Sequence, residues 1–282
     1  AAITGWEMFM YDQGRSSNTV KAFLSDVRLL TRFLAPDQAI GAVTTEELNR
    51  FFTWMEKERN IPCSPKTLSR RITSIKSFFR WLHQHGALSI DPAEKVLQRS
   101  AISPLPQVLS NHEYEAVLLA ADRQRREKKP DARSYTLVYL LLTTGIKKSE
   151  CLGIHINHID LNAKSGPHVF IRYASPANRY KERKIELVED WITAYQEYLI
   201  QYRPVDQLFA WSPRRLEYLL EDIGAEAGIT KHLSFDMCRW TCALRDYQAG
   251  METDAIRQKL GVSKIQWREL FIKLKQLNGE LK

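Results

Sequence analysis

Apolar residues recur at helical intervals along most of the chain, and the breaks in that rhythm mark its organisation. Val20, Phe23, Leu24, Val27, Leu30 and Leu34 fall three or four apart, which predicts a helix with one buried face. Thr44 and Glu47 have capping-box spacing ahead of Leu48, Phe51, Phe52 and Met55, predicting a second helix. The clearest helix follows Pro65. Its apolar stripe is Leu68, Ile72, Ile75, Phe79 and Leu82, while Lys66, Arg70, Thr73, Ser77 and Arg80 step along the opposite face. This first region reads as a helical bundle.

The rhythm lapses at Gln-Arg-Ser-Ala-Ile-Ser-Pro-Leu-Pro-Gln, between Leu97 and Gln107. The expected organisation is therefore an N-terminal helical domain over 1–97, a linker over 98–107 and a second domain over 108–282. Ser110 with Glu113 predicts another capped helix, and the basic run Arg123–Lys129 an exposed loop. Leu137–Leu142 is too apolar to be exposed, and helices are expected to continue through Ile154. Val169–Tyr173 and Lys184–Val188 alternate as two short strands joined by a basic, proline-containing connection. Helices resume over Glu189–Tyr202, Pro213–Ala227, Ser234–Gly250 and Ile265–Leu277. The fold class predicted is mainly α with a small β-hairpin.

A chain of 282 residues with 44% hydrophobic content supports two packed cores. Lys and Arg number 41 against 33 Asp and Glu, a formal charge of +8 that favours a polyanionic partner, nucleic acid before a membrane surface. No apolar run approaches a bilayer span and no secretory signal opens the chain, so a cytoplasmic protein is expected. The first residue is Ala1 rather than Met, as in a trimmed chain. Cys63, Cys151, Cys238 and Cys242 lack the paired spacings of a zinc site or a disulfide framework and read as reduced thiols. Cys238 and Cys242 stand one turn apart near His232 and Asp236; packing thiols are favoured there over a metal site. Phosphate-cradling glycine loops, nucleotide fingerprints and Ser/His/Asp arrangements are missing from the sequence, so no cofactor and no metal is expected.

Two basic features remain. From Arg59 to Ile90 there is no carboxylate, so the cationic face of the Pro65 helix has no local counter-charge. Such a face suits either solvent or phosphate. Further on comes Thr-Gly-Ile-Lys-Lys-Ser-Glu-Cys-Leu-Gly-Ile-His-Ile-Asn-His-Ile-Asp, residues 144–160. Here Gly145 permits a sharp turn, Ser149 and Glu150 can open a helix, and Lys147 points outward at the elbow.

That stretch resembles the first signature box of the tyrosine recombinases, the phage integrases and Xer-type proteins, in which Lys147 stands where an arginine is usual. Gly14–Leu34 and Ser64–Pro92 are similar to their N-terminal core-binding domain, and the likeness runs from about residue 8 to 275. It implies a two-domain, C-shaped clamp around duplex DNA. It also implies a metal-free catalytic set of six groups: a tyrosine nucleophile, two arginines, a hairpin lysine, a histidine before the second arginine, and a further His or Trp. In this sequence those places fall on Phe271, Lys147, Arg239, Asn178, Asp236 and Val262. Only Arg239 is retained, and a register slip would put Arg179 or Lys181 in place of Asn178. Phenylalanine keeps the shape of tyrosine and lacks the attacking oxygen. Phe271 reads as a packed residue of an amphipathic helix, and Arg239 either as a phosphate contact or as a buried partner of Asp236.

The favoured expectation is a catalytically inactive DNA-binding protein, associated with the nucleoid. Lys66, Arg70, Arg71, Arg80, Lys147, Arg179, Lys181, Arg183 and Arg239 are its candidate phosphate contacts. The alternative is an active site-specific recombinase with displaced catalytic groups, or with a nucleophile supplied by an intact recombinase partner. A third expectation is a homo-oligomer formed through Trp267, Leu270, Phe271, Ile272, Leu274 and Leu277, because family members often exchange this C-terminal segment between protomers.

Overall fold

The computed structural model describes residues 2–99 and 104–280, so part of the predicted linker, 100–103, lies outside the described residues. The chain divides into two compact units, residues 1–104 and 105–282. Each has its own core.

The first unit contains α1 (Ala2–Asp12), α2 (Ser17–Phe33), α3 (Thr45–Thr53) and α4 (Pro65–Gln84). Side-chain caps set three of the starts. Ser16 accepts from Thr19 N, Ser64 from Thr67 N with Pro65 at the first helical position, and Thr44 with Glu47 closes the predicted capping box. The whole predicted stripe of α4 is buried, and Trp6 of α1 packs 5.0 Å from Phe78.

The opposite face of α4 departs from expectation. Asp26 of α2 is buried at 3% exposure and takes a two-pronged hydrogen bond from Arg70, 2.5 and 3.0 Å. Ser74 donates to the same carboxylate at 2.7 Å, and Arg71 lies 3.4 Å from it. The missing local counter-charge is therefore supplied 44 residues upstream in sequence. Lys66 and Arg80 stay exposed. A buried carboxylate needs such partners, because desolvation would otherwise return it to the neutral form.

The second unit is built around α6 (Arg133–Thr144), whose Leu137, Val138, Leu140, Leu141 and Leu142 are all buried. Around it pack α5 (Asn111–Arg126), α8 (Glu189–Tyr202), α9 (Pro213–Glu226) and α10 (Phe235–Gln248). The expected loop at Arg123–Lys129 is helical through Arg126, since Asp122 one turn back takes hydrogen bonds from Arg125 and Arg126. α7 (Lys148–Leu152) follows the elbow. A three-stranded antiparallel sheet, β1 (Ile159–Asp160), β2 (His168–Ile171) and β3 (Arg183–Glu186), pairs Val169 with both Ile159 and Ile185. The two predicted strands are thus β2 and β3, each one or two residues earlier than expected, and β1 is additional. The predicted connection carries a 3₁₀ helix, Pro176–Lys181.

α11 (Thr253–Lys259), absent from the sequence reading, and α12 (Lys264–Leu277) complete the unit. They enclose a third small core with Ala243 and Leu244 of α10, to which Val262 and Leu274 contribute. No helix among the described residues is long and apolar enough to cross a membrane. Replacing Asp26 with Asn strands two guanidinium groups in the first unit, and the expected loss is about 3 kcal/mol of stability by urea denaturation. A loss below about 1 kcal/mol would show that solvent already screens the network.

Candidate nucleic-acid interface

The elbow is a helix end made by backbone geometry. Gly145 caps α6 in the left-handed region at φ 61°, and a Cβ there would come within 2.8 Å of Leu260. The next helix opens at Lys148, one residue before the expected Ser149, and Glu150 at its third position accepts from Lys147 N at 2.8 Å. The side chain of Lys147 is half-buried rather than fully outward.

Glu150 is the hub that sequence reading missed. Its carboxylate is buried and takes hydrogen bonds from Arg183 of β3 at 3.0 and 3.1 Å, and from the Tyr173 hydroxyl. Burial alone raises its pKa, but the Arg183 hydrogen bonds and charge, with Lys147 N and Tyr173, hold it below the usual carboxylate range. Burial, and the bond to Glu150, push Tyr173 up to about 12. Arg183 continues outward: its Nε donates to Lys259 O at 2.6 Å and its Nη1 to Lys181 O at 3.1 Å. Gly261, at φ 59°, lies against this guanidinium with no room for a Cβ.

Arg239 ties the same parts from the other side. It is 8% exposed and donates to Gly145 O at 2.5 Å and Leu260 O at 2.7 Å. Asp236 is exposed in the first turn of α10 and is no partner of Arg239, so that expected ion pair is replaced by two backbone carbonyls. Arg239 and Arg183 thereby lock the elbow, the hairpin and the turn between α11 and α12 into one assembly. Lys147 feels three cationic groups, Arg239, Lys181 and Arg183, and the carboxylate of Glu150. The Lys147 ammonium is disfavoured first by desolvation and then by Arg239, Lys181 and Arg183, which lower its pKa against the opposing pull of Glu150.

The remaining family positions have packing or tethering roles. Asn178 Oδ1 accepts from Lys181 Nζ at 2.8 Å, while Arg179 is exposed. Val262 is buried. Phe271 stacks on Trp267 at 5.4 Å and meets Tyr247 edge-on at 5.8 Å, as expected of a packed helix residue. Trp267, Leu270, Leu274 and Leu277 pack with it on their own domain, leaving Ile265 and Ile272 exposed. Beside Val262 an open cavity of about 460 Å³ is lined by Lys181, Glu182, Arg183, Arg257 and Lys264 among others. Cys238 and Cys242 are buried and their thiols pushed up to about 12, whereas His232 and Asp236 face solvent. Among the described residues no group of three His, Cys, Asp or Glu side chains converges to hold a metal.

The second unit thus joins a basic elbow and a β-hairpin to a helical core, and the first is a separate helical unit. The profile of the Phage integrase family matches residues 107–274, and that of the phage integrase N-terminal SAM-like domain residues 3–86. The chain belongs to the phage integrase family, the tyrosine recombinases. It is 26% identical over 278 residues to tyrosine recombinase XerC of Mycobacterium sp. (strain JLS), covering 92% of this chain and 89% of that protein. Tyrosine recombinase XerD of Listeria innocua is 24% identical over 280 residues, with 94% and 91% covered. In fold, the chain is similar to XerH recombinase bound to a palindromic difH substrate, with TM-score 0.75, 17% identity, and 92% and 76% covered. The match to a lambda integrase dimer bound to a COC' core site has TM-score 0.73, 12% identity, and 95% and 75% covered.

Because the Glu150 pKa is lowered in the fold, its ionised form stabilises the folded state above the ordinary carboxylate range. That contribution disappears as pH falls through the lowered value. The denaturant midpoint of the second unit should therefore drop as pH is lowered from about 5. Glu150→Gln should weaken the unit at neutral pH and flatten this acid limb; an equally steep limb in the variant would assign the acid sensitivity to other carboxyls.

Proposed function

We propose that this chain binds duplex DNA on a tyrosine-recombinase scaffold and does not cut it. The observation that carries this reading is Phe271, a ring packed between Trp267 and Tyr247 where the resemblance sets the nucleophile. Transesterification also needs cations on the phosphate and an acid for the departing sugar oxygen. Here Asn178, Asp236 and Val262 stand at three of those places. An exposed carboxylate at Asp236 opposes an incoming phosphate, and a buried valine has nothing to donate.

Binding is supported by the charge that stays available. Lys66 and Arg80 on α4 and Arg179 on the hairpin are exposed, and Lys147 is half-buried without an ionic partner among the described residues. Arg70, Arg71 and Arg183 are engaged by Asp26 and Glu150, which makes them organisers of the surface more than phosphate contacts. The relatives bear on partners in the same direction, since the similar solved structures include recombinases bound to DNA as a dimer and as a tetramer. Self-association on DNA through the exposed Ile265 and Ile272 of α12 is part of this proposal, as is residence with the nucleoid.

Two measurements test it. Duplex affinity should fall steeply with salt, and a Lys66→Ala, Arg80→Ala double variant should flatten the log–log slope by about 2, near 0.9 for each lost phosphate contact. Salt-insensitive binding, or none at low salt, sinks the DNA reading. A nicked suicide substrate should trap no covalent adduct with the protein or with Phe271→Tyr, since restoring the hydroxyl leaves Asn178, Asp236 and Val262 in place. An adduct with the unaltered chain would establish a displaced nucleophile and overturn the non-cutting half.

A further inference from the structure

We propose that Lys147 is a modification site, whose amine takes an acyl group from a small acyl phosphate and so loses the charge that the elbow offers to DNA. The inference rests on the DNA reading of this site and adds a means of regulating it. Neighbouring lysines have partners: Lys148 with Glu217 at 2.7 Å, Lys181 with Asn178 at 2.8 Å, and Lys259 with Asp246 at 2.7 Å. Among the described residues Lys147 Nζ makes no hydrogen bond or ion pair. The adjoining carboxylate, Glu150, is already taken by Arg183, Tyr173 and the Lys147 backbone N–H.

Arg239 is held by Gly145 O and Leu260 O and has no ion-pair partner among the described residues, so its positive charge is fixed beside a half-buried amine. That arrangement attracts a small phosphorylated donor and favours the neutral, nucleophilic amine, in keeping with the lowered pKa of this group. The usual arginine of the signature box stays protonated and has no comparable nucleophilic nitrogen. Lysine keeps the charge and makes it removable.

The step balances simply. Neutral Nζ attacks the acyl carbonyl carbon and an N–C bond forms. The bond between the carbonyl carbon and the bridging oxygen breaks, inorganic phosphate leaves with that oxygen and the electron pair, and the proton lost from nitrogen passes to phosphate or water. The product is a neutral amide.

The test incubates the full chain with acetyl phosphate near neutral pH and follows acetylation of each lysine by mass spectrometry. Lys147 should react several-fold faster than the exposed Lys66 and Lys184, its rate should saturate with donor, and inorganic phosphate should slow it selectively. A rate no higher than those references, or one linear in donor and indifferent to phosphate, overturns the site. Treatment stopped while Lys66 and Lys184 are still largely unmodified should also lower the salt slope of duplex binding by about 0.9 in the unaltered chain and leave that of Lys147→Arg where it was before treatment. Equal losses in both proteins overturn the charge-removal role. A failure of the DNA reading is distinguishable from these, because it appears as absent or salt-insensitive binding before any treatment, while the acetylation rates still judge the site.

Discussion

The second unit depends on one buried ion pair, Glu150 with Arg183. A carboxylate with no exposed side-chain surface and a guanidinium with 9% are both removed from water, a costly state that only complete hydrogen bonding sustains. The structure supplies it: Glu150 also takes the Tyr173 hydroxyl and Lys147 N, and Arg183 reaches Lys259 O and Lys181 O. Those partners lie on the elbow, the hairpin and the end of α11. Because each leg is obligatory, the three segments hold one mutual geometry, and Arg239 fastens the same corner through Gly145 O and Leu260 O.

A basic protein can use its cations for recognition or for construction, and this chain divides them between the two. Arg70 and Arg71 close on Asp26 in the first unit as Arg183 closes on Glu150 in the second. In both units the planar guanidinium is the internal brace, suited to two-pronged contacts. The side chains left facing water are of both kinds, Lys66 and Lys184 together with Arg80 and Arg179. Sequence charge alone therefore overstates the number of free cations and understates how firmly the remaining ones are mounted.

The parts of this arrangement legible from sequence were the local ones. The capping boxes at Thr44 and Ser110, the α4 stripe and the bounds of α8 are set within a few residues by backbone chemistry and periodicity, and they stand as read. α11 escaped because seven residues are too few to display a period, and β1 because two residues show no alternation. The pairings of Asp26 with Arg70 and of Glu150 with Arg183 span 44 and 33 residues, so no spacing rule reports them. Glu150 was visible only as a helix-start residue. Its burial comes from what folds over it. The carbonyl partners of Arg239 lie 94 and 21 residues away and leave no mark on composition.

Phe271 carries a consequence for time as well as for chemistry. A nucleophile at that place would fix protein to DNA through a bond whose lifetime is set by a reaction barrier. A ring held between Trp267 and Tyr247 has no such anchor, so on the non-cutting reading every complex is an equilibrium complex. Its occupancy follows protein concentration and ionic strength, and dilution alone clears the site. Such a protein marks a stretch of DNA for as long as it is abundant and leaves no scar when it departs.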